Sequence, residues 1–320
     1  MTNNFFFFVV LFFISLLFST FLGNSLIKIL KSLNAKQVIR EDGPKEHIVR
    51  KSETPTIGGL IFLIPVLCIS LSICFLKKNY QTLDLVVVLS TTFIMATLGF
   101  IDDYLKVIKK HNKGISGWSK LFVQLLVSLA IFYLYKEKSG IIYLVWVFFV
   151  ISGASNSFNL TDGLDGLLTS ICLVSFVGFS FLLYQENKIE LVTFSLIILG
   201  SLAGFLYFNK YPAKIFMGDT GSLALGGAIG SLAIISRAEL YLICFATIPI
   251  LEALSVILQV ASFQFSKRFL GKDIRIFKMA PLHHHFELCG WKETDIVRRF
   301  FVFQIICMLI GVGIASLHHF

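Results

Sequence analysis

Polar residues in this chain fall in short clusters between long apolar runs. "FFFFVVLFFISLLFSTFLGNSLI" (residues 5–27) and "LVVVLSTTFIMATLGFI" (85–101) are two of these runs. Neither alternates apolar with polar as a barrel strand would, so each reads as a helix. Apolar stretches of about 18 residues or more are long enough to cross roughly 30 Å of hydrocarbon. A buried backbone in lipid must satisfy its own hydrogen bonds, which a helix does. The pattern predicts ten spans, at about 5–27, 58–76, 83–101, 119–135, 141–158, 167–184, 191–208, 222–236, 240–263 and 297–317. The expected fold is an all-α polytopic membrane protein forming one integral membrane domain over 1–320. No Lys or Arg precedes Phe5 and no small-residue cleavage site follows, so the first run reads as a permanent span.

Composition agrees. The chain is 56% hydrophobic and 15% charged, against about 25% charged in ordinary soluble domains. The six Cys include no C-x-x-C pair, and five lie in apolar runs, so no disulfide framework is expected. Charge adds an orientation. One alternate set of loops and their flanks (28–57, 102–118, 159–166, 209–221, 264–296) carries 22 of the 28 Lys and Arg. The positive-inside bias makes that set cytoplasmic, and ten spans then place both termini outside. The net charge of +9 follows from this asymmetry. Such a face meets anionic lipid. No aromatic-interleaved basic stripe suggests nucleic acid.

The acidic residues sharpen the picture. Asp102, Asp103, Asp162, Asp165 and Asp219 all fall on the basic face, at the ends of spans. Carboxylates from three loops among basic loops suit a divalent cation and a polyphosphate at the lipid boundary. In "FIDDYLKV", adjacent Asp102 and Asp103 repel unless a cation or proton lies close. Lys106 alone could answer one of them at helical spacing. "NLTDGLDGL" sets Asp162 and Asp165 three apart, with no Lys or Arg in the segment. Asn159 and Thr161 could cap the sixth span, but capping explains one carboxylate, not two with Gly163 and Gly166. In "FNKYPAKIFMGDTGSLALGG", Asp219 opens the eighth span, where backbone N–H groups can face a phosphate. "MAPLHHHFELCGW" holds His283, His284 and His285, which point about 100° apart on a helix. They suit anion hydrogen bonding better than a shared zinc. Arg50, Lys51, Thr54 and Thr56 precede a glycine pair and could anchor a diphosphate. Glu252 looks intramembrane, after Pro249.

Together "DGPKEH", "TPTIGG", "FIDDYLKV", "NLTDGLDGL", "FNKYPAKIFMGDTGSLALGG", "LSVILQV" and "IFKMAPLHHHFELCGW" occur in this order. From about Val38 onward the chain closely resembles the polyprenyl-phosphate N-acetylhexosamine-1-phosphate transferase superfamily, of glycosyltransferase 4 type. The His-rich segment resembles its muramoyl-pentapeptide branch. Glu53 stands where that branch usually has Gly. The resemblance implies a Mg²⁺-dependent enzyme of the bacterial cytoplasmic membrane that works as a homodimer. It implies transfer of phospho-N-acetylmuramoyl-pentapeptide from UDP to undecaprenyl phosphate, releasing UMP and forming lipid I. It implies Asp102, Asp103 and Asp219 as catalytic residues, with Asp219 the metal ligand. Asp165, Gly166, Leu167 and Phe216 would form a nucleoside pocket, with Phe216 stacking on uracil. Lys51, Thr56, Asn159, Asp162, Asn209, Gln264 and His283, with His284 and His285, would reach the donor. Lys106 and Lys120 would neutralise phosphate. A transporter would instead place ionisable groups mid-span within repeated broken helices, and no internal repeat is evident.

Overall fold

A computed structural model describes residues 2–35, 54–76, 82–109, 114–135 and 140–318. Arg50, Lys51 and Glu53 lie outside the described residues. The helices are α1 (Thr2–Ser32), α2 (Leu60–Leu76), α3 (Leu83–Lys109), α4 (Gly117–Leu134), α5 (Gly140–Thr161) and α6 (Leu167–Gln185). They continue with α7 (Ile189–Asn209), α8 (Gly218–Ile235), α9 (Leu242–Phe245), α10 (Thr247–Leu270), α11 (Leu282–Leu288) and α12 (Glu293–His318). No β-strand occurs among the described residues. Nine of these helices are long and apolar enough to cross a membrane. The second expected span, 58–76, is α2, 17 residues long, which at 1.5 Å per residue reaches about 26 Å. The described residues thus form an all-helical fold, with the helix length and composition of a multi-pass membrane protein.

The helices outrun the apolar runs. The third span was expected to end at residue 101, yet α3 continues to Lys109. Asp102 and Asp103 therefore sit inside a helix rather than at its end. The ninth expected span, 240–263, is two helices. A 3₁₀ turn (Glu239–Tyr241) and α9 precede a break at Ala246, and α10 begins at Thr247. Pro249 lies in the first turn of α10, where a missing N–H breaks no helical bond. The break leaves backbone groups to satisfy in an apolar setting. Gln304 of α12 does both: its amide nitrogen donates to the Cys244 carbonyl (3.0 Å) and its oxygen accepts from the Ile248 N–H (3.0 Å).

Helix α8 is the axis. It packs along α3 and α5, while α7 packs against α1 and α6, and α6 against α12. In its most apolar window 94% of α8 is buried, against 17% for α1. α1, by contrast, exposes Phe5, Phe6, Phe13 and Phe21, as a lipid-facing helix should. Close packing of α3 on α8 depends on Gly99. A Cβ there would lie 2.0 Å from the Asp219 carbonyl oxygen, so only glycine lets the two backbones meet. All six cysteines are free thiols.

Candidate active site

The α3–α8 contact brings three carboxylates together. Asp102, Asp103 and Asp219 each offer an oxygen, and these oxygens all lie within 4.8 Å of one another. Their surroundings give them different work.

Asp103 is buried and caps α8. Its Oδ1 accepts the Asp219 N–H (3.1 Å), and its Oδ2 accepts the Thr220 N–H (2.9 Å) and hydroxyl (2.7 Å). These are N–H groups that a helix leaves unpaired at its start. A cap of this type usually contributes about 1 kcal/mol, and here it comes from a different helix. It also fixes the backbone of Asp219.

Asp102 and Asp219 share two lysines. Lys106 Nζ is 2.5 Å from Asp102 Oδ2 and 3.3 Å from Asp219 Oδ2. Lys120 Nζ is 3.1 Å from Asp102 Oδ1 and 2.6 Å from Asp219 Oδ2. Lys106 follows Asp102 by four residues on α3, as helical spacing allows. Lys120 comes from α4, whose start is fixed by Ser116: its hydroxyl accepts the Ser119 N–H at 3.1 Å. The preceding Ile115 N–H donates to Asp102 Oδ1 at 2.7 Å, so Asp102 also anchors the approach to α4. Asn159, near the end of α5, donates to Asp219 Oδ1 (2.9 Å) and to Ser222 Oγ (2.9 Å). Carboxylate oxygens are the donors a hard divalent cation takes, and the three gathered here could hold one.

A cavity of about 460 Å³ opens beside Lys120, lined by Gly117, Trp118, Leu121 and Asn156. Trp118 is 84% exposed at its lip. A phosphate reaching Lys120 has room there.

Residues 85–237, which contain this cluster, match the glycosyl transferase family 4 profile. The chain is also 40% identical to phospho-N-acetylmuramoyl-pentapeptide-transferases of Bacillus thuringiensis (strain Al Hakam) and Bacillus cereus (strain AH187). It is 39% identical to that of Bacillus anthracis (strain A0248). Each alignment runs over 317 residues, covering 94% of this chain and 95% of the relative. The chain belongs to the phospho-N-acetylmuramoyl-pentapeptide-transferase family.

The other residues that resemblance to this transferase family singled out are spread around the cluster. Thr56 is buried and packs against Gly218 and thereby against the start of α8. Phe216 is half-buried; its N–H donates to the Pro55 carbonyl (2.9 Å) and its carbonyl accepts the Gly58 N–H (2.9 Å). Asn209 is buried. It accepts from the Thr169 hydroxyl (2.6 Å) and donates to the Ile215 carbonyl (3.1 Å), so it shapes the turn that carries Phe216. Asp162 is half-buried just after α5. Asp165 is buried, and its carboxylate accepts the Ala213 N–H at 2.9 Å while its own N–H donates to Glu293 (2.7 Å). Gly166 adopts φ 74° at the start of α6. Leu167 is fully buried in an apolar cluster with Ile171, Ile248 and Ile296.

The three histidines of this transferase family's His-rich segment take separate roles. His283 is buried, with its N–H (3.2 Å) and Nδ1 (3.1 Å) on the Glu252 carboxylate. Its Nε2 lies 2.1 Å from where a Cβ on Gly163 would be. Gly163 therefore lets the α11 segment dock on "NLTDGLDGL". His284 Nδ1 is 2.7 Å from Glu287. His285 Nδ1 accepts the Lys278 N–H (3.1 Å) and its Nε2 is 3.7 Å from Cys289 Sγ. Gln264 is exposed on α10. Five residues earlier, Gln259 makes paired bonds with the Phe277 backbone, at 2.8 and 2.9 Å. The sequence reading missed that residue, although the quoted motif "LSVILQV" contained it. It missed Glu293 and Gln304 as well.

Proposed function

We propose that this chain transfers phospho-N-acetylmuramoyl-pentapeptide from its UDP-linked donor to undecaprenyl phosphate, releasing UMP and forming lipid I. The observation that carries this reading is the pair of lysines shared between Asp102 and Asp219 where α3 meets α8. In the reaction an oxygen of the lipid phosphate bonds to the sugar-bearing phosphorus, and the bond from that phosphorus to the UMP oxygen breaks. Such a transfer needs positioning and charge neutralisation more than covalent protein chemistry. Lys120 can leave a carboxylate for the acceptor phosphate, and Lys106 for the donor diphosphate. A phosphate monoester is already largely ionised near neutral pH, with a second pKa of about 6. Asp102 thus serves to position charge, with no strong base demanded. Asp219, held by Asn159 and backbone-fixed by Asp103, is the carboxylate best placed to hold Mg²⁺. Asp102 is the second candidate ligand. Mg²⁺, when bound, neutralises the diphosphate. Incubating the purified protein in lipid with UDP-N-acetylmuramoyl-pentapeptide or UDP-N-acetylglucosamine, and measuring released UMP, tests the reading. Release with the second donor alone would overturn it.

Phe216 would stack on uracil. An aromatic face is worth about 1–3 kcal/mol to a stacked base, so Phe216→Ala should lower kcat/KM for the donor roughly tenfold or more. The acceptor KM should hardly move. The backbone bonds of Phe216 to Pro55 and Gly58 persist in the variant, so its fold should survive. An unchanged donor KM and kcat/KM with a lowered melting temperature would make Phe216 a packing residue only.

The chain acts as one membrane domain, in the bacterial cytoplasmic membrane and as a homodimer, with the acidic cluster at the cytoplasmic boundary. The loop charge asymmetry supports this orientation. Both termini then lie outside. A reporter fused at Phe320 that is active only when cytoplasmic should be silent; activity there would invert the topology.

A further inference from the structure

A second cavity, of about 320 Å³, lies where the start of α6, the end of α7 and the start of α12 come together. None of Asp102, Asp103 and Asp219 lines it. Its mouth carries Lys210 and Arg298, both exposed, and its walls are Leu173, Leu206 and Phe301. Leu173 lies six residues into α6 and Phe301 eight into α12, roughly 9 and 12 Å along the helices at 1.5 Å per residue. The cavity therefore runs from a cationic rim along apolar helix faces. Asp165 and Gly166, which the family resemblance assigns to the nucleoside pocket, also line it. The Asp165 carboxylate is buried and accepts the Ala213 N–H, so the charge presented at the mouth is positive. Lys210 is further placed by the Tyr207 ring, 5.6 Å from its centroid, as an aromatic at a membrane interface would place it. Beyond the walls, Val177 and Val302 continue an exposed apolar surface.

We propose that this cavity holds one anionic glycerophospholipid. The phosphate sits between Lys210 and Arg298, and an acyl chain lies along Leu173, Leu206 and Phe301 and out over the lipid-facing helices. Basic groups at the rim and apolar groups behind them match the two ends of that molecule. Each basic residue near a membrane surface is worth about a factor of five in affinity for anionic lipid. The test uses the whole protein in neutral detergent, titrated with phosphatidylglycerol or phosphatidylcholine and read by native mass spectrometry. One phosphatidylglycerol per chain should be retained in preference to phosphatidylcholine. The double variant Lys210→Gln/Arg298→Gln should weaken this roughly 10- to 30-fold, and Lys210→Arg/Arg298→Lys should restore most of it. Equal retention of the two lipids, or no loss in the Gln variant, would overturn the proposal. So would displacement of the lipid by UMP, which would assign the cavity to the nucleotide. If the Gln variant does not fold, the wild-type protein still decides: its preference for phosphatidylglycerol must fall as salt rises, and a salt-independent preference sinks the idea.

Discussion

Replacing Asp219 by Asn is expected to cut turnover more than tenfold, a loss of at least about 1.4 kcal/mol in the barrier, while leaving the fold in place. The structure separates these two effects. Asp103 caps α8 through the backbone N–H of residue 219 and through Thr220, so the cap does not depend on the side chain being changed. An Asn oxygen can still accept from Asn159. Its nitrogen, however, would face Lys120, donor against donor, where Asp219 Oδ2 now lies 2.6 Å from that ammonium. A neutral amide is also a far poorer ligand for a hard cation than a carboxylate. The variant should need much more Mg²⁺ for half-maximal rate, with a melting temperature close to the parent's. Turnover above a tenth of the parent's, or an unchanged Mg²⁺ requirement, would remove Asp219 as the ligand.

A single methyl group at Gly99 is expected to cost on the order of a hundredfold in turnover. Alanine is worth about 1 kcal/mol more than glycine within a helix, so a loosely packed site would gain stability. Here the added carbon would meet the Asp219 carbonyl at 2.0 Å and the Thr220 nitrogen at 2.6 Å. Backbone cannot yield as a side-chain tip does, so α3 and α8 must part by about 1 Å. Displacements of that size between reacting groups can cost about 10²-fold, and Asp102 and Asp103 lie just one turn further along α3. Gly153→Ala is the control, because nothing lies within 4 Å of the carbon it adds. If Gly99→Ala turns over like Gly153→Ala, the approach of α3 to α8 does not set the site.

What the sequence disclosed was the solvent each segment meets. Apolar runs marked the crossing portions, and the loops' acids and bases marked one face. The helices continue past those runs because nothing in "DDYLKVIK" breaks them, and Lys106 pairs across a turn. Hydropathy falls at Asp102, but helical hydrogen bonding does not. Long-range partners left no local trace. Asp103 capping α8, 116 residues away, and Glu293 holding the Asp165 N–H, 128 away, have no periodicity to betray them. The motif resemblance named Asp103 and Asp165 without the backbone N–H groups that they hold. Gln304 was unreadable for the same reason: a lone glutamine in an apolar run shows a polar need, not that the need is a broken helix some 60 residues earlier.

The burial of α8 bears on how the protein is made. Its best window has a mean hydropathy of 1.2, whereas α1 reaches 2.7 and α12 2.4. Glycines and serines replace leucines because α8 faces other helices, not acyl chains. On its own, such a segment has little drive to leave the insertion machinery for lipid, where each helix is judged by transfer free energy. It should therefore stay in the bilayer chiefly through α3 and α5, already synthesised and waiting. Placed alone in a glycosylation-mapped host protein, the α8 segment should insert in a smaller fraction of chains than α1 or α12, and adding α3 and α5 upstream should raise that fraction. Equal insertion of isolated α8 and α1 would show that the helix carrying Asp219 needs no escort into the membrane.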